Sequence, residues 1–372
     1  MRRFCKVAII QTLTLCVAVT SGVAGMSRVE RQSYLRPRVI TFPESAPYSP
    51  QIAALGKKLF FDQRLSNSHL RSCASCHNPS FGWSMPGTGA HEELLEVPAH
   101  GSSKPSHEHH DEEPLKNEIS QKLEQPWTFP ARNEATFELK PRPATDLAFA
   151  TALFWDGRVN DLEEQVHQSL ISKSELNASV PVMMSHLREI EGYVHWFNLL
   201  FPGEGLNLRT VITSIATYER TIISGITPFD IWMSGDASAI PDSAQRGFEL
   251  FTGRARCSSC HSGWTFSDYK KHNIGLPATH NETLAKNRKY TSLVTPGLRN
   301  VKRRAPYMHN GTMKTLRQVL LHYNSGGTPS SEQHRDIEPL NLSDTELQDL
   351  EAFLLALTEE RQAFKSPVLP SR

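Results

Sequence analysis

Cysteine is scarce in this chain, neither sign of charge is in excess, and long apolar runs are missing after the first two dozen residues. The 372 residues hold six cysteines, and 40 lysines and arginines stand against 39 aspartates and glutamates for a formal net charge of +1. That balance argues against a nucleic-acid binder and against a polybasic membrane anchor. No segment beyond Val23 is long and apolar enough to span a bilayer. Strand-like alternation of β-branched residues is nearly absent too, which excludes a fold built on sheet and points to a mainly α chain. The length leaves room for two domains of ordinary size.

The one apolar run comes first. Arg2, Arg3 and Lys6 precede Val7 to Val23, and the run ends among Ser21, Gly22, Ala24 and Gly25. This is the layout of a secretory signal peptide over residues 1–25, the alternative being an uncleaved anchor. Leu15 directly before Cys16 argues against a lipoprotein site. Cleavage removes Cys5 and Cys16 and delivers the chain to the periplasm of a Gram-negative bacterium, with no stable membrane insertion afterwards.

The four remaining cysteines form two pairs, each followed at once by histidine: Cys73-Ala74-Ser75-Cys76-His77 and Cys257-Ser258-Ser259-Cys260-His261. Cys-x-x-Cys-His is the attachment pattern of haem c. Two thiols three apart on a helical turn reach both vinyl groups of one porphyrin, and the next imidazole then lies under the iron. A four-cysteine zinc site, redox-active disulfides and structural disulfides are the rival readings, but none requires a histidine after each pair. Two covalently bound haems c are the expected cofactors.

Each motif follows a helical pattern. Pro50 opens one with Ile52, Leu55, Leu59 and Phe60 on one face, stopping near Asp62. Asp242-Ser243 caps another through Phe248, Leu250 and Phe251 to Gly253. A third runs within Leu206 to Ile223 and ends by Gly225, Thr315 caps a fourth, and Ser343 with Glu346 forms a capping box for the last. These patterns predict two cytochrome c-like helical domains, each with one haem. A polar lead-in occupies 26–48, an N-terminal unit 49–225 carries the first haem and an exposed loop insertion at 84–126, and a C-terminal unit 226–372 carries the second haem.

The segment Phe154-Trp155-Asp156-Gly157-Arg158, with Gln165 ten and Glu175 twenty residues after Trp155, resembles the central signature of the di-haem cytochrome c peroxidase and MauG family. The likeness runs over roughly residues 50 to 360, through Phe229-Asp230, Gly247, Leu298-Arg299-Asn300-Val301 and Ala305-Pro306-Tyr307-Met308-His309-Asn310-Gly311. It implies a peroxide-dependent oxidoreductase in which Trp155 lies between the haems while Gln165 and Glu175 line the peroxide pocket. Read without the resemblance, Glu175 is an ordinary solvated acid.

Fourteen residues after His309, where many members carry a methionine ligand to the second haem, this chain has Tyr323. That choice is similar to the MauG branch. A phenolate donates charge and favours ferric or higher iron, whereas a thioether raises the potential and suits electron entry. The implied activity uses hydrogen peroxide to form a high-valent di-haem state that oxidises a Trp or Tyr side chain of a separate exported protein. The alternatives are a peroxidase drawing electrons from a small cytochrome or copper protein, and a plain electron carrier. A buried tyrosine bonded to backbone is the bland reading of Tyr323, and Met308 and Met313 are the rival sulfur ligands.

The resemblance also implies calcium between the haems, held by Asn133 of Arg132-Asn133-Glu134-Ala135-Thr136 and by the carbonyls of Arg304 and Pro306, since oxygen ligands suit that ion. The Arg304 side chain is a departure that places a cation beside the site. His91 and His100 are candidates for a resting ligand of the first haem, with an open iron the favoured alternative. The cluster His107, Glu108, His109, His110 and Asp111 is either a copper or zinc site or a solvated loop.

Overall fold

A computed structural model describes residues 28–44, 46–85, 139–276, 292–330, 332–360 and 364–371. Residues 1–25, expected to be a signal peptide, Asn133, and His91, His100, His107, His109 and His110 of the expected loop insertion lie outside them. The described residues form eleven α-helices and one two-stranded ribbon: α1 Arg28–Tyr34, α2 Pro50–Phe60, α3 Cys73–Cys76, α4 Leu162–Ile171, α5 Val180–Arg188, α6 Glu191–Leu200, α7 Leu208–Arg220, α8 Pro228–Met233, α9 Asp242–Thr252, α10 Leu316–Asn324 and α11 Asp344–Ala356, with β1 Lys271–His272 antiparallel to β2 Leu293–Val294.

The helices begin where their caps allow. Ser49 Oγ accepts the Ile52 N–H and Pro50 occupies the first turn, where a missing N–H costs nothing. Asn207 and Thr210, Thr315 and Gln318, and Ser343 and Glu346 close reciprocal capping boxes on α7, α10 and α11. Helix α9 is capped by Pro241 rather than by Asp242, which becomes its first residue.

Apolar side chains gather in two clusters. One joins Leu55, Leu59, Phe60, Leu162, Val166, Val211 and Ile215; the other joins Phe229, Phe248, Phe251, Phe266, Leu350 and Phe353. Each is built on the same device. A Cβ on Gly56 of α2 would fall 1.8 Å from the Ser214 carbonyl oxygen of α7, and one on Gly247 of α9 would fall 1.9 Å from the Asp349 carbonyl oxygen of α11. In both halves the helix that leads into the haem motif therefore crosses the half's last long helix at a glycine, backbone against backbone.

The ends of the chain exchange sides. The lead-in forms α1, which packs Tyr34 against Phe229, Phe248 and Phe266 of the second cluster. The C-terminal tail returns to the first half, where Phe364 stacks on Phe61 and Lys58 donates to the Val368 carbonyl. In the second half, Arg299 makes a two-pronged pair with Asp230 at 2.8 and 2.7 Å and lies 4.2 Å over the Trp264 ring. That buried pair ties Leu298 to Val301 to the start of α8.

A methyl group at Gly247 must push α9 off α11. Overpacking of this kind costs about 1–3 kcal/mol, and the better helix propensity of alanine returns only about 1 kcal/mol. Gly247→Ala in the haem-loaded protein is expected to lower the denaturant midpoint; an unchanged midpoint would mean that the crossing yields without cost.

Candidate active site

The two haem motifs share a second piece of local geometry. His77 Nδ1 lies 3.2 Å from the Trp83 carbonyl oxygen and His261 Nδ1 lies 2.9 Å from that of Phe266. Trp83 and Phe266 hold φ of 59° and 55°, left-handed values that turn each carbonyl back toward the imidazole. With Nδ1–H donating, Nε2 keeps its lone pair for a metal. Burial lowers both histidine pKa values, and the carbonyl bonds act in the opposite direction.

All four cysteines are free thiols. Burial raises each of them, Cys76 and Cys257 to about 12 and Cys260 to about 11. Among the described residues they do not converge into one four-sulfur site. One cluster, Cys260 with Asp268 and His272, has its potential ligand atoms within 4.8 Å of one another. It shares its sulfur with the second haem motif, and Asp268 is already bonded to His272 Nε2 at 2.8 Å. Among the described residues the four motif cysteines form neither a common four-sulfur cluster nor a disulfide.

The surroundings fit a large group with anionic arms. Arg142 donates to the carbonyls of Ala152 and Phe154, and Arg304 to the Gly297 carbonyl and Thr145 Oγ1, all neutral oxygens. Arg304 Nε, Trp264 Nε1 and Gln165 Oε1 are buried without a hydrogen-bond partner among the described residues. Burial lowers both guanidinium pKa values to about 10, a cost that a carboxylate such as a haem propionate would relieve. A small cavity opens between Arg142, Arg304, Thr145 and Tyr269.

Near the first motif, α4 starts at Asp161, whose Oδ1 accepts the Glu164 N–H at 2.8 Å, and its first turns present Gln165. Gln165 Nε2 donates to Ser169 Oγ at 3.0 Å while Oε1 stays unpaired. Glu175 sits in the turn after α4, and Arg71, two residues before Cys73, donates to its carbonyl at 3.1 Å. The Glu175 carboxylate acts electrostatically on Cys73, Cys76 and His77, so the chain brings it to the first motif.

A second carboxyl group, which sequence reasoning passed over, stands behind it. Glu219 is 4% exposed, its Oε2 has no partner among the described residues, and its pKa rises to about 8. Desolvation is the main cause; Arg220 pulls the other way, and Glu163 and Glu175 add to the rise. Arg220 gives little relief because it is committed to Glu163 at 2.8 and 2.6 Å. The signal was present in the periodicity of α7: Val211, Ile215 and Glu219 follow at intervals of four, and the third carries an acid on a buried stripe.

Trp155 stands where the halves meet. Its Nε1 donates to the Lys140 carbonyl at 2.7 Å, its carbonyl accepts from Val294 at 2.9 Å, and its ring lies 6.2 Å from that of His309. Tyr323, in the last turn of α10, is half-buried and raised in pKa, first by desolvation and then by the Cys257 and Cys260 sulfurs beside it. Its hydroxyl has no hydrogen-bond partner among the described residues, unlike a tyrosine tied to backbone.

The calcium reading meets a disagreement. The carbonyls of Arg304 and Pro306, expected to face the ion, both accept hydrogen bonds from Lys140 Nζ, the second at 2.6 Å. A dication does not fit a position that an ammonium already fills. The Arg304 side chain points elsewhere, to Gly297 and Thr145.

The family model for the di-haem cytochrome c peroxidase matches residues 50–238. The chain is 35% identical to the methylamine utilization protein MauG of Methylorubrum extorquens over 369 residues, covering 96% of this chain and 94% of that one. It is 27% identical to the cytochrome c551 peroxidase of Pseudomonas aeruginosa, covering 90% and 86%. A solved MauG-like protein associated with microbial copper homeostasis shares the fold, with a TM-score of 0.68 at 24% identity over 88% of this chain and 94% of that one.

Glu219 supplies a pH test. An acid whose folded pKa is raised from 4.5 to about 8 favours the fold most below pH 4.5, and that contribution is lost as pH rises through 8. Glu219→Gln is expected to remove the slope, so the variant gains thermal stability relative to the parent between pH 5 and pH 9. A stability difference that does not change with pH over that range would mean that Glu219 is ionised in the folded protein.

Proposed function

Because this chain belongs to the di-haem cytochrome c peroxidase and MauG family, a family of peroxide-dependent di-haem oxidoreductases, we propose that it spends peroxide on the oxidation of a Trp or Tyr side chain in a separate exported protein. The observation that carries this reading is Tyr323, beside Cys257 and Cys260 with its hydroxyl free for a metal. The higher identity to the MauG relative than to the cytochrome c551 peroxidase supports it as well. The apolar run with a basic start at residues 1–25 supports export to the periplasm.

The two haems, when bound, supply the iron chemistry that takes two oxidising equivalents from hydrogen peroxide. Cys73, Cys76 and His77 hold the first, and Cys257, Cys260, His261 and Tyr323 the second, in units that we divide at residues 225 and 226. With the first haem in place, Glu175 would act as the proton acceptor and donor for peroxide, taking a proton from one oxygen and delivering it to the other so that water can leave. The unpaired Gln165 Oε1 accepts the remaining peroxide O–H and orients it. Trp155, anchored through Nε1, lies on the path by which electrons cross between the halves. Two electrons from the partner side chains and two protons reduce one peroxide to two waters, so no other oxidant is needed.

If the second haem's iron is held by Tyr323, its phenol would ionise there despite its raised pKa, because the metal charge replaces the proton's. A neutral thioether there would instead open a port for a reduced cytochrome, which is the competing reading.

One equivalent of peroxide added to the purified diferric protein, followed by EPR and near-infrared absorption, separates the two. Loss of both ferric signals together with a new near-infrared band is expected; a reaction that requires prior reduction would assign the protein to the donor-driven peroxidases. Glu175→Gln should slow that signal loss by about 10²–10⁴-fold, the usual worth of an acid–base group, with both haems still attached. Tyr323→His should keep the fold and confine the oxidation to the first haem. Spectra of that variant matching the parent would remove Tyr323 from the ligand set.

A further inference from the structure

Lys140 holds four groups at the junction of the halves. Its backbone N–H donates to the His309 carbonyl at 2.7 Å and its carbonyl receives the Trp155 indole N–H at 2.7 Å. Its Nζ donates to the carbonyls of Arg304 and Pro306. The residue thus joins Trp155, on the N-terminal side, to the loop from Arg304 to His309 on the C-terminal side.

We propose that the Lys140 side chain takes the place of the inter-haem calcium ion, so that this protein holds its two halves in register around Trp155 without a divalent cation. An ammonium offers three donors and no acceptor, which suits two converging carbonyl oxygens. Calcium requires six to eight oxygens at about 2.3–2.6 Å, and it would have to expel the lysine to reach these two. The surroundings oppose it further, since Arg142 and Arg304 already bring positive charge to the same junction, with Arg142 5.8 Å from the Trp155 ring.

The inference does not depend on which substrate is oxidised, and its test uses no turnover. Calcium per chain is measured by elemental analysis on the di-haem protein before and after dialysis against a chelator, with ferric EPR recorded at each stage. Substoichiometric calcium and unchanged EPR are expected. One calcium per chain, lost to the chelator with a change in the EPR of either haem, would overturn the proposal. Lys140→Ala in chelator is expected to shift the EPR of the second haem, and Lys140→Arg to restore it in part; an alanine variant with the parent's spectrum would equally refute the role of the ammonium. If the alanine variant does not fold, the calcium count on the parent protein decides alone.

Discussion

Each haem unit depends on one hydrogen bond, from an imidazole Nδ1 to a carbonyl five or six residues further on. That bond selects the tautomer, turns Nε2 outward and fixes the ring plane relative to the two cysteines. It also accounts for two left-handed residues with large aromatic side chains, Trp83 and Phe266, in positions that glycine would fill at lower cost. The helices around each motif serve this geometry. By letting α2 meet α7 and α9 meet α11 at backbone distance, Gly56 and Gly247 draw the cysteine-bearing turn against the core.

The second theme is charge kept out of water. Glu219, Arg304, Arg142 and Lys140 all shift toward their neutral forms because burial removes solvent faster than protein partners replace it. A protein that only packed its core would avoid such groups. Here Glu219 lies by the first motif, and Lys140, Arg142 and Arg304 lie around the junction between the halves. Desolvation is the main cause of the raised Glu219 pKa, with the Glu163 and Glu175 carboxylates adding to it.

The junction itself rests on backbone. Trp155 is held by a carbonyl, the Arg304 to His309 loop by an ammonium and an amide, and β2 by the Trp155 carbonyl. Backbone contacts of this kind fix distance while leaving side chains on either side free to vary.

Local pattern was enough for much of this molecule. Both haem motifs, the caps at Ser49, Thr315 and Ser343, the helix preceding each motif and the family signature from Trp155 to Glu175 are written within stretches of a few to about twenty residues, where spacing sets geometry directly. What spacing cannot express is which distant groups lose their water together. Glu219 carries a raised pKa because α7 packs its stripe inward beside a turn some forty residues earlier in the chain, and Lys140 meets two carbonyls 164 and 166 residues away. The sequence by itself determined the two haem motifs, the family and the mainly helical class, since each is a local arrangement of residues. Only the tertiary structure decided that the calcium carbonyls already have a cation and that a second acid stands behind Glu175, because desolvation and long-range pairing arise when separate elements close on one another.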